Sequence, residues 1–386
     1  MNPFLSFILD GNQPFKNTIM FIYKIGIYTL YILYFVIFFR NTPLSSQVKF
    51  VNEFLNIGVG ARAHGMFGSV VATVSNGTAG YWNPAGLANL ANPLQINAMH
   101  ANWFGGVANY DFISISTRLN DSAKSAGSFT LIRMGVDNIP NTLNLIGPDG
   151  SLDYNRVFEF SAADYAGIFS YGRNLSSNEK IRVGGSAKII HRSIGSFGSA
   201  WGFGIDLGMQ MDLGKFKLGI AGRDITTTFN AWSFNLTEEE RQVFINTGND
   251  IPVSTTEIAL PRIIAGIAWT GGKESLSYTV ESNLNISTNG TRAGVFSTRR
   301  LSIDPTIGGE VGIHNLVFVR VGFGNIQRII NDVNADATVL EIQPNMGMGL
   351  LLGRLKVDYA LTNIGNLSGV LISHIFSVSI DFNKRD

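Results

Sequence analysis

The chain contains no cysteine, few charged residues and, beyond residue 90, no apolar run long enough to form a membrane-spanning helix. The absence of cysteine excludes disulfides, zinc–thiolate centres, iron–sulfur clusters, cysteine nucleophiles and a lipid anchor on an N-terminal cysteine. Only 15% of the 386 residues are charged, whereas about a quarter are charged in a typical soluble protein. The formal net charge of +1 favours no polyanionic partner, so nucleic-acid binding is not expected.

Residues 1–46 are predicted to be a signal-peptide region. The stretch from Met20 to Phe39 is almost entirely apolar, has Lys24 near its start and is ended by Arg40. This pattern indicates a secretory signal, with Met20 as an alternative start and cleavage near Ser46. The competing interpretation is a retained transmembrane anchor, because about 20 apolar residues suffice to cross a bilayer.

The rest of the chain is rich in glycine, with 43 residues, and in phenylalanine, with 27, and it alternates apolar with small or polar positions. The clearest case is 201–213, where every odd position from Trp201 to Leu213 is apolar and every even position is Gly, Asp or Gln. Successive side chains of a β-strand point to opposite faces. Such alternation predicts membrane strands with one face toward lipid and the other toward the lumen.

About 14 strands are predicted, and long connections alternate with short ones between them. The predicted starts lie near Leu94, Tyr110, Ser128, Ala163, Lys180, Trp201, Phe216, Arg262, Ser275, Thr306, Leu316, Glu341, Leu355 and Leu371. Outer-membrane barrels have short periplasmic turns, longer outer loops and an even strand number. The predicted fold class is therefore all-β: a transmembrane antiparallel β-barrel spanning residues 93–386 in the bacterial outer membrane.

One long connection, Ile225–Leu260, also contains a helix signal. Thr237 and Glu240 have the spacing of a capping box, which predicts a short helix to about Ile245. That helix is either a docking surface or lid, or simply packing for a long loop.

Residues 47–92 are predicted to form a partly helical plug inside the barrel. Asn83 and Pro84 are a helix-start signal, because Asn caps a helix and Pro suits its first position, and Trp82 just before them is an expected anchor. Glycines permit close packing or positive φ, and this segment has Gly58, Gly60, Gly65 and Gly68.

Charged residues on the lumen side of the predicted strands have two interpretations. They are Arg182, Lys188, Asp206, Asp212, Arg223, Glu281, Glu310, Arg320, Lys356 and Asp358. Because charges at low dielectric must be paired, we favour a network that holds the plug over a path for polar solutes. Arg62 of the plug is then a candidate partner for Asp206, Glu281 or Glu310.

Nothing in the sequence indicates catalysis, a metal or a cofactor. The five histidines are scattered without metal-ligand spacing, and there is no nucleophile elbow and no phosphate-binding loop. Two Gly-x-Gly-x-x-x-Gly stretches, starting at Gly202 and Gly347, lie inside predicted strands, where small residues facing a plug explain them better.

Three motifs in the predicted plug and one loop motif carry a family resemblance. Phe54–Gly68, Val71–Thr73, Tyr81–Leu87 and Asp137–Thr142 resemble the PorV/PorQ family. The chain departs from the pattern at Phe67, where a small residue, usually Gly, is common. The resemblance implies an outer-membrane component of the Bacteroidetes type IX secretion system. Such a protein would bind C-terminal signal domains of secreted cargo and pass the cargo to the cell-surface attachment machinery.

A second resemblance leaves an alternative open. The Asn83-Pro84-Ala85 element is shared with FadL-like outer-membrane transporters of hydrophobic compounds. This alternative implies a largely apolar pocket beside the plug. Secreted cargo, type IX components and outer-membrane lipid are the partners expected from the first reading, and neither reading implies an enzyme.

Overall fold

The structure is a computed structural model that describes residues 51–120, 124–143, 145, 151–175, 180–288, 296–298, 301–330, 338–362 and 372–382. The predicted signal region, 1–46, lies outside the described residues. In the part of the chain that is described, no helix has the length and apolar character needed to cross a membrane.

Seventeen strands form one antiparallel sheet, and fourteen of them close into a barrel. The strands are β1 Leu94–Trp103, β2 Ala108–Asn120, β3 Ser125–Asn141, β4 Phe158–Asn174, β5 Ile181–Ile194, β6 Gly198–Leu213, β7 Phe216–Arg223, β8 Thr228–Phe234, β9 Thr256–Ala259, β10 Arg262–Lys273, β11 Leu276–Ser287, β12 Phe296–Ser297, β13 Ser302–Ile313, β14 Val317–Ile330, β15 Thr338–Leu352, β16 Leu355–Thr362 and β17 Ser373–Phe382. All except β8, β9 and β12 belong to the wall, which closes where β17 pairs with β1. The predicted 14-strand barrel is confirmed.

The two faces of the strands follow the alternation in the sequence. On β6, Trp201 and Phe203 are exposed on the outside, whereas Gly202 and Gly204 are buried toward the lumen. On β17, Phe376 and Phe382 are exposed on the outside in the same way. The exposed apolar face suits hydrocarbon, and closure leaves no wall strand with an unpaired edge in it.

The barrel has a turn end and a loop end. The turn end carries tight connections such as Leu213–Phe216 and Leu352–Leu355. The loop end carries the long connections, including the one between β7 and β10. That connection was predicted as a loop with one helix; it also contains β8, which extends the sheet by pairing with β6, and β9, which pairs with β8.

The helix in that connection, α3, spans Glu238–Asn246 and is a confirmed prediction; α1 and α2 lie in the plug described next. Thr237 accepts from the Glu240 amide and the Glu240 side chain accepts from the Thr237 amide, so both bonds of the capping box are present. None of its residues is buried. The helix therefore does not pack the loop into the barrel.

Residues 51–92, called the plug from here on, lie inside the wall. They form a 3-10 helix at Glu53–Asn56, α1 at Ala61–Gly65, α2 at Ala79–Trp82 and a second 3-10 helix at Pro84–Asn89. Plug side chains such as Val59, Met66 and Leu87 are fully or almost fully buried and belong to one core cluster with wall residues of β1–β5. The exact domain boundaries remain a prediction.

Candidate functional site

Two glycines of the plug hold backbone shapes that other residues rarely adopt. Gly60, which precedes α1, has φ +83°, and Gly68 has φ +72°. Both values lie in the left-handed region that favours glycine. A side chain at Gly68 would also come within 3.3 Å of the Trp82 ring, so the signature glycines serve turning and close packing.

Wall glycines make room for the plug. A Cβ at Gly65 would lie 3.0 Å from the Cα of Gly347 on β15. Gly308 and Gly322 would meet the backbone of Met66, and Gly208 would meet the Asn83 side chain. Gly208 and Gly347 belong to the Gly-x-Gly-x-x-x-Gly stretches, which confirms that these residues make room for the plug; Gly202 instead faces Asn230 of β8.

The predicted helix start at Asn83 and Pro84 is present and also ties the plug to the wall. The Asn83 side chain accepts from the Ala85 amide at 3.2 Å, as a cap does. Its amide nitrogen donates to the carbonyl of Met209 on β6 at 3.1 Å. Trp82 is buried and donates through Nε1 to the Val59 carbonyl at 2.8 Å, so it anchors one part of the plug to another.

Arg62 enters a chain of charges that runs from the plug into the wall. It donates through Nε and Nη2 to the two carboxylate oxygens of Glu310, at 2.9 and 3.0 Å. Glu310 also accepts from Arg320 at 2.6 Å, and Arg320 donates to Asp358 at 2.7 Å. Of the three candidate partners predicted for Arg62, the structure selects Glu310.

Two further lumen charges bind the plug directly. Glu281 is fully buried and accepts from the Ala72 amide at 2.8 Å and the Thr73 hydroxyl at 2.6 Å. Arg223 donates to the Tyr81 carbonyl at 3.1 Å and lies over the ring of Tyr81, 4.3 Å from its centroid. Both contacts fit the network interpretation of the lumen charges.

Two other predicted lumen charges, Asp206 and Arg182, form no hydrogen bond or ion pair with the plug among the residues that the structure describes. Asp206 is paired with Lys188 at 2.8 Å, and Lys188 also reaches Asp224 at 2.6 Å. Arg182 is buried on β5, and it forms no ion pair with the residues that the structure describes. These residues belong to the wall alone.

Sequence reasoning missed a set of lumen amides that hold plug carbonyls. Gln210 donates to Val71 and Val74 at 3.1 and 3.0 Å. Asn283 and Asn345 donate likewise to Gly68 and His64. The signal was available, because the alternation places these amides on the lumen face, but only charged residues were followed.

Phe67 also acquires a structural meaning that the sequence did not indicate. Its φ is +53°, in the left-handed region, which explains why glycine suits this position. Its ring lies against Gly324 of β14, where even a methyl group would overlap it. The Phe67 ring is thus matched by a glycine on the facing strand.

A cavity of about 690 Å³ lies between the plug and the loop end of the wall. Apolar side chains on its lining are Ile57, Phe67, Trp82, Trp103 and Ile264. Polar and charged side chains on its lining are Glu53, Asn56, His64, Arg223, Arg262, Asn285, Asp304, Thr306, Asn325, Gln327, Gln343, Asn345 and Thr362. The largely apolar pocket expected for a FadL-like protein is therefore not observed; the lining is mixed, because amide-bearing strands face an aromatic plug.

The plug residue His64 lines this cavity and is neutral at physiological pH. Burial lowers its pKa to about 4, against a hydrogen bond with the Gly58 backbone that acts in the opposite direction. The ring lies 5.9 Å from that of Trp103. The cavity therefore has an uncharged imidazole beside its aromatic side.

Two smaller free spaces also lie around the plug. A cavity of about 360 Å³ lies at the turn end, lined by residues such as Leu87, Leu90 and Arg118. Between plug and wall, around Arg62 and Lys356, the free space is about 30 Å³. That is roughly the volume of one water molecule in the liquid, so plug and wall are closely packed at this point.

Solved structures share this fold. The CymD monoaromatic hydrocarbon channel has a TM-score of 0.54 and 13% identity, covering 86% of this chain and 99% of its own. The Pseudomonas putida toluene transporter TodX has a TM-score of 0.54 and 12% identity, covering 85% and 99%. The Ralstonia pickettii toluene transporter TbuX has a TM-score of 0.50 and 12% identity, covering 84% and 99%.

No family model and no curated protein matches the chain, so the PorV/PorQ resemblance gains no support. The structural matches overturn the prediction of a type IX cargo carrier, which is wrong: the barrels that share the fold are a channel and transporters, as in the FadL-like alternative. At these identities the likeness shows the fold alone.

Proposed function

We propose that the chain is a non-catalytic outer-membrane channel that admits hydrophobic compounds. The cavity between the plug and the loop end carries this proposal. Its volume of about 690 Å³ lies within the range of small-molecule sites, about 300–1,000 Å³. The matching barrels, a monoaromatic hydrocarbon channel and two toluene transporters, support the same chemistry for this chain.

The aromatic side of the cavity would receive the substrate. Trp82 and Phe67 come from the plug, and Trp103 ends β1. Removing an apolar body from water onto these rings gains about 25 cal/mol for each Å² buried. Because two of the three rings belong to the plug, a bound substrate would contact the element that must move.

Passage would require breaking contacts between plug and wall. Arg62 with Glu310 and Glu281 with the Ala72 amide lie between the cavity and the turn end. Outer-membrane lipid is the partner that this proposal retains. Membership of the PorV/PorQ family stays a prediction, and the proposal does not depend on it.

Whole-cell uptake of radiolabelled toluene and of a medium-chain alkane tests the proposal, in a bacterial host without a channel of its own for such compounds. We expect the chain to raise the initial uptake rate of at least one of them several-fold. Gln343→Trp, which fills the cavity, should abolish the gain. The matched control is Ile342→Trp, because Ile342 is exposed on the outside of the same strand. Unchanged uptake on expressing a folded barrel would refute the proposal.

A further inference from the structure

We infer that the cavity selects neutral, hydroxyl-bearing amphiphiles over unsubstituted hydrocarbons of the same shape. This inference rests on the proposed function and narrows its substrate class. The observation behind it is that the cavity has two chemically different sides. Aromatic rings of Phe67, Trp82 and Trp103 form one, and amide side chains of β14 and β15 belong to the other.

The amides are ordered among themselves by hydrogen bonds across two strands. Gln327 donates through its amide nitrogen to Asn325, and Asn325 donates to the Gln343 carbonyl oxygen at 2.9 Å. An amide oxygen has two lone pairs and an amide nitrogen two hydrogens, so this chain leaves hydrogen-bonding capacity at Gln327. A hydrocarbon pressed against these groups would remove water and return no hydrogen bond.

The charges on the lining point to a neutral ligand. Arg223 and Arg262 are the two cationic side chains, and Glu53 and Asp304 are the two anionic ones. The formal charges cancel, and His64 adds none because burial lowers its pKa to about 4. Neither a carboxylate nor an ammonium group is favoured by this balance.

Unpartnered polar atoms point to a group that both donates and accepts. Three polar atoms of the lining side chains are buried and have no hydrogen-bond partner among the described residues: Trp103 Nε1, His64 Nε2 and Asn345 Oδ1. Trp103 Nε1 can only donate and Asn345 Oδ1 can only accept. A hydroxyl group does both. The three atoms have almost no accessible surface in this structure, so a ligand hydroxyl would bond them once their side chains turn toward the cavity, which would remove the cost of leaving them unsatisfied. An aromatic or aliphatic alcohol thus fits both sides of the cavity.

Benzyl alcohol and ethylbenzene form a suitable probe pair, because they differ only by a hydroxyl in place of a methyl group. We would measure the Kd of each by saturation-transfer NMR titration of the protein in lipid nanodiscs, with empty nanodiscs as the blank. A site built to bond a hydroxyl discriminates strongly against the analogue without one. Because the amides here are partly exposed, we expect about a tenfold tighter Kd for benzyl alcohol.

The variant Gln327→Met should remove most of this preference, since it keeps the side-chain length and deletes the amide. Gln242→Met on the exposed helix α3 is the matched control and should leave the preference unchanged. Equal Kd values for the two probes, or a preference that survives in Gln327→Met, would overturn the inference and leave the proposed channel standing. Binding of neither probe would overturn the inference, whereas the proposed channel is decided separately by toluene and alkane uptake.

Discussion

Arg62 in the plug and Glu310 on β13 form a two-bonded ion pair, with both nitrogen–oxygen distances close to 3 Å. Only 21% of the Arg62 side chain and 12% of the Glu310 side chain are exposed. The two partners are not equivalent, because Glu310 also accepts from Arg320 on β14. The carboxylate is shared by two guanidinium groups, so it is the centre of the connection between plug and wall.

This asymmetry predicts unequal effects of two substitutions on the free energy of unfolding. Glu310→Gln removes the carboxylate that Arg62 and Arg320 share and leaves Arg320 its bond to Asp358. It should cost about 3–5 kcal/mol, as for a broken buried pair. Arg62→Gln should cost less, because Glu310 keeps Arg320. Urea unfolding in detergent micelles, followed by heat-modifiable gel mobility, measures both. A larger loss for Arg62→Gln than for Glu310→Gln would contradict the shared-carboxylate arrangement.

Acidification should loosen the plug through His64. Its folded-state pKa of about 4 lies below the value of about 6.5 expected in the unfolded chain. Between pH 6.5 and 4 the unfolded state therefore binds more protons, so stability falls as the pH drops through this window. The full difference corresponds to about 3 kcal/mol.

Unfolding titrations at pH 7, 5.5 and 4 on wild type and His64→Gln measure this contribution. We expect the variant to lose less stability than wild type over the same range. His314→Asn is the control, since His314 is exposed in the turn between β13 and β14. The free energy of unfolding of this variant should change with pH as that of wild type does. Identical pH profiles for wild type and His64→Gln would show that His64 is not kept neutral by burial.

If solutes pass by displacement of the plug, a covalent link between plug and wall should stop them. The chain has no cysteine, so an introduced pair would react only with itself. The Ala61 amide donates to the Ser377 hydroxyl at 3.0 Å, which places α1 against β17. We expect oxidised Ala61→Cys/Ser377→Cys to lose hydrocarbon uptake and to regain it on reduction. Each single cysteine variant should transport like wild type, and uptake through the oxidised pair would contradict plug displacement.

The wall of the barrel was predictable because strand periodicity is local. A period of two is visible within any ten residues, and the largest error in a strand start is five residues, at β4, which begins at Phe158 rather than Ala163. Strands β8 and β9 were missed because they are short and lie in a long connection for which only a helix was predicted. The pairing of β8 with β6 is a long-range contact that periodicity does not encode.

The sequence could predict which charged residues face the lumen, but not which of them pair with each other. Alternation predicts a lumen position for Glu281, Glu310 and Arg320, since facing needs only the strand period, and all three side chains form bonds there. Which lumen charge meets Arg62 depends on the relative register of β13 and the plug, which lie more than 200 residues apart in the chain. The cavity depends further on the path of the plug, so its mixed lining could not be read from separate segments.

Phe67 and Gly324 provide a test of how the plug and wall are matched. Gly324→Ala would drive a methyl group into the Phe67 ring, and overpacking of this kind typically costs about 1–3 kcal/mol. The backbone at Gly324 has no positive φ, so the cost should come mainly from the ring, with a smaller part from Thr306 Cγ2, which would lie 3.0 Å from the added methyl group. In a Phe67→Gly background the same substitution should therefore cost clearly less. Urea unfolding of the two single variants and the double variant measures this coupling.

Gly309→Ala on β13 is the control, because its Cβ would approach other atoms no closer than 4.0 Å. Equal losses from Gly324→Ala in both backgrounds would show that the ring and the glycine are not matched.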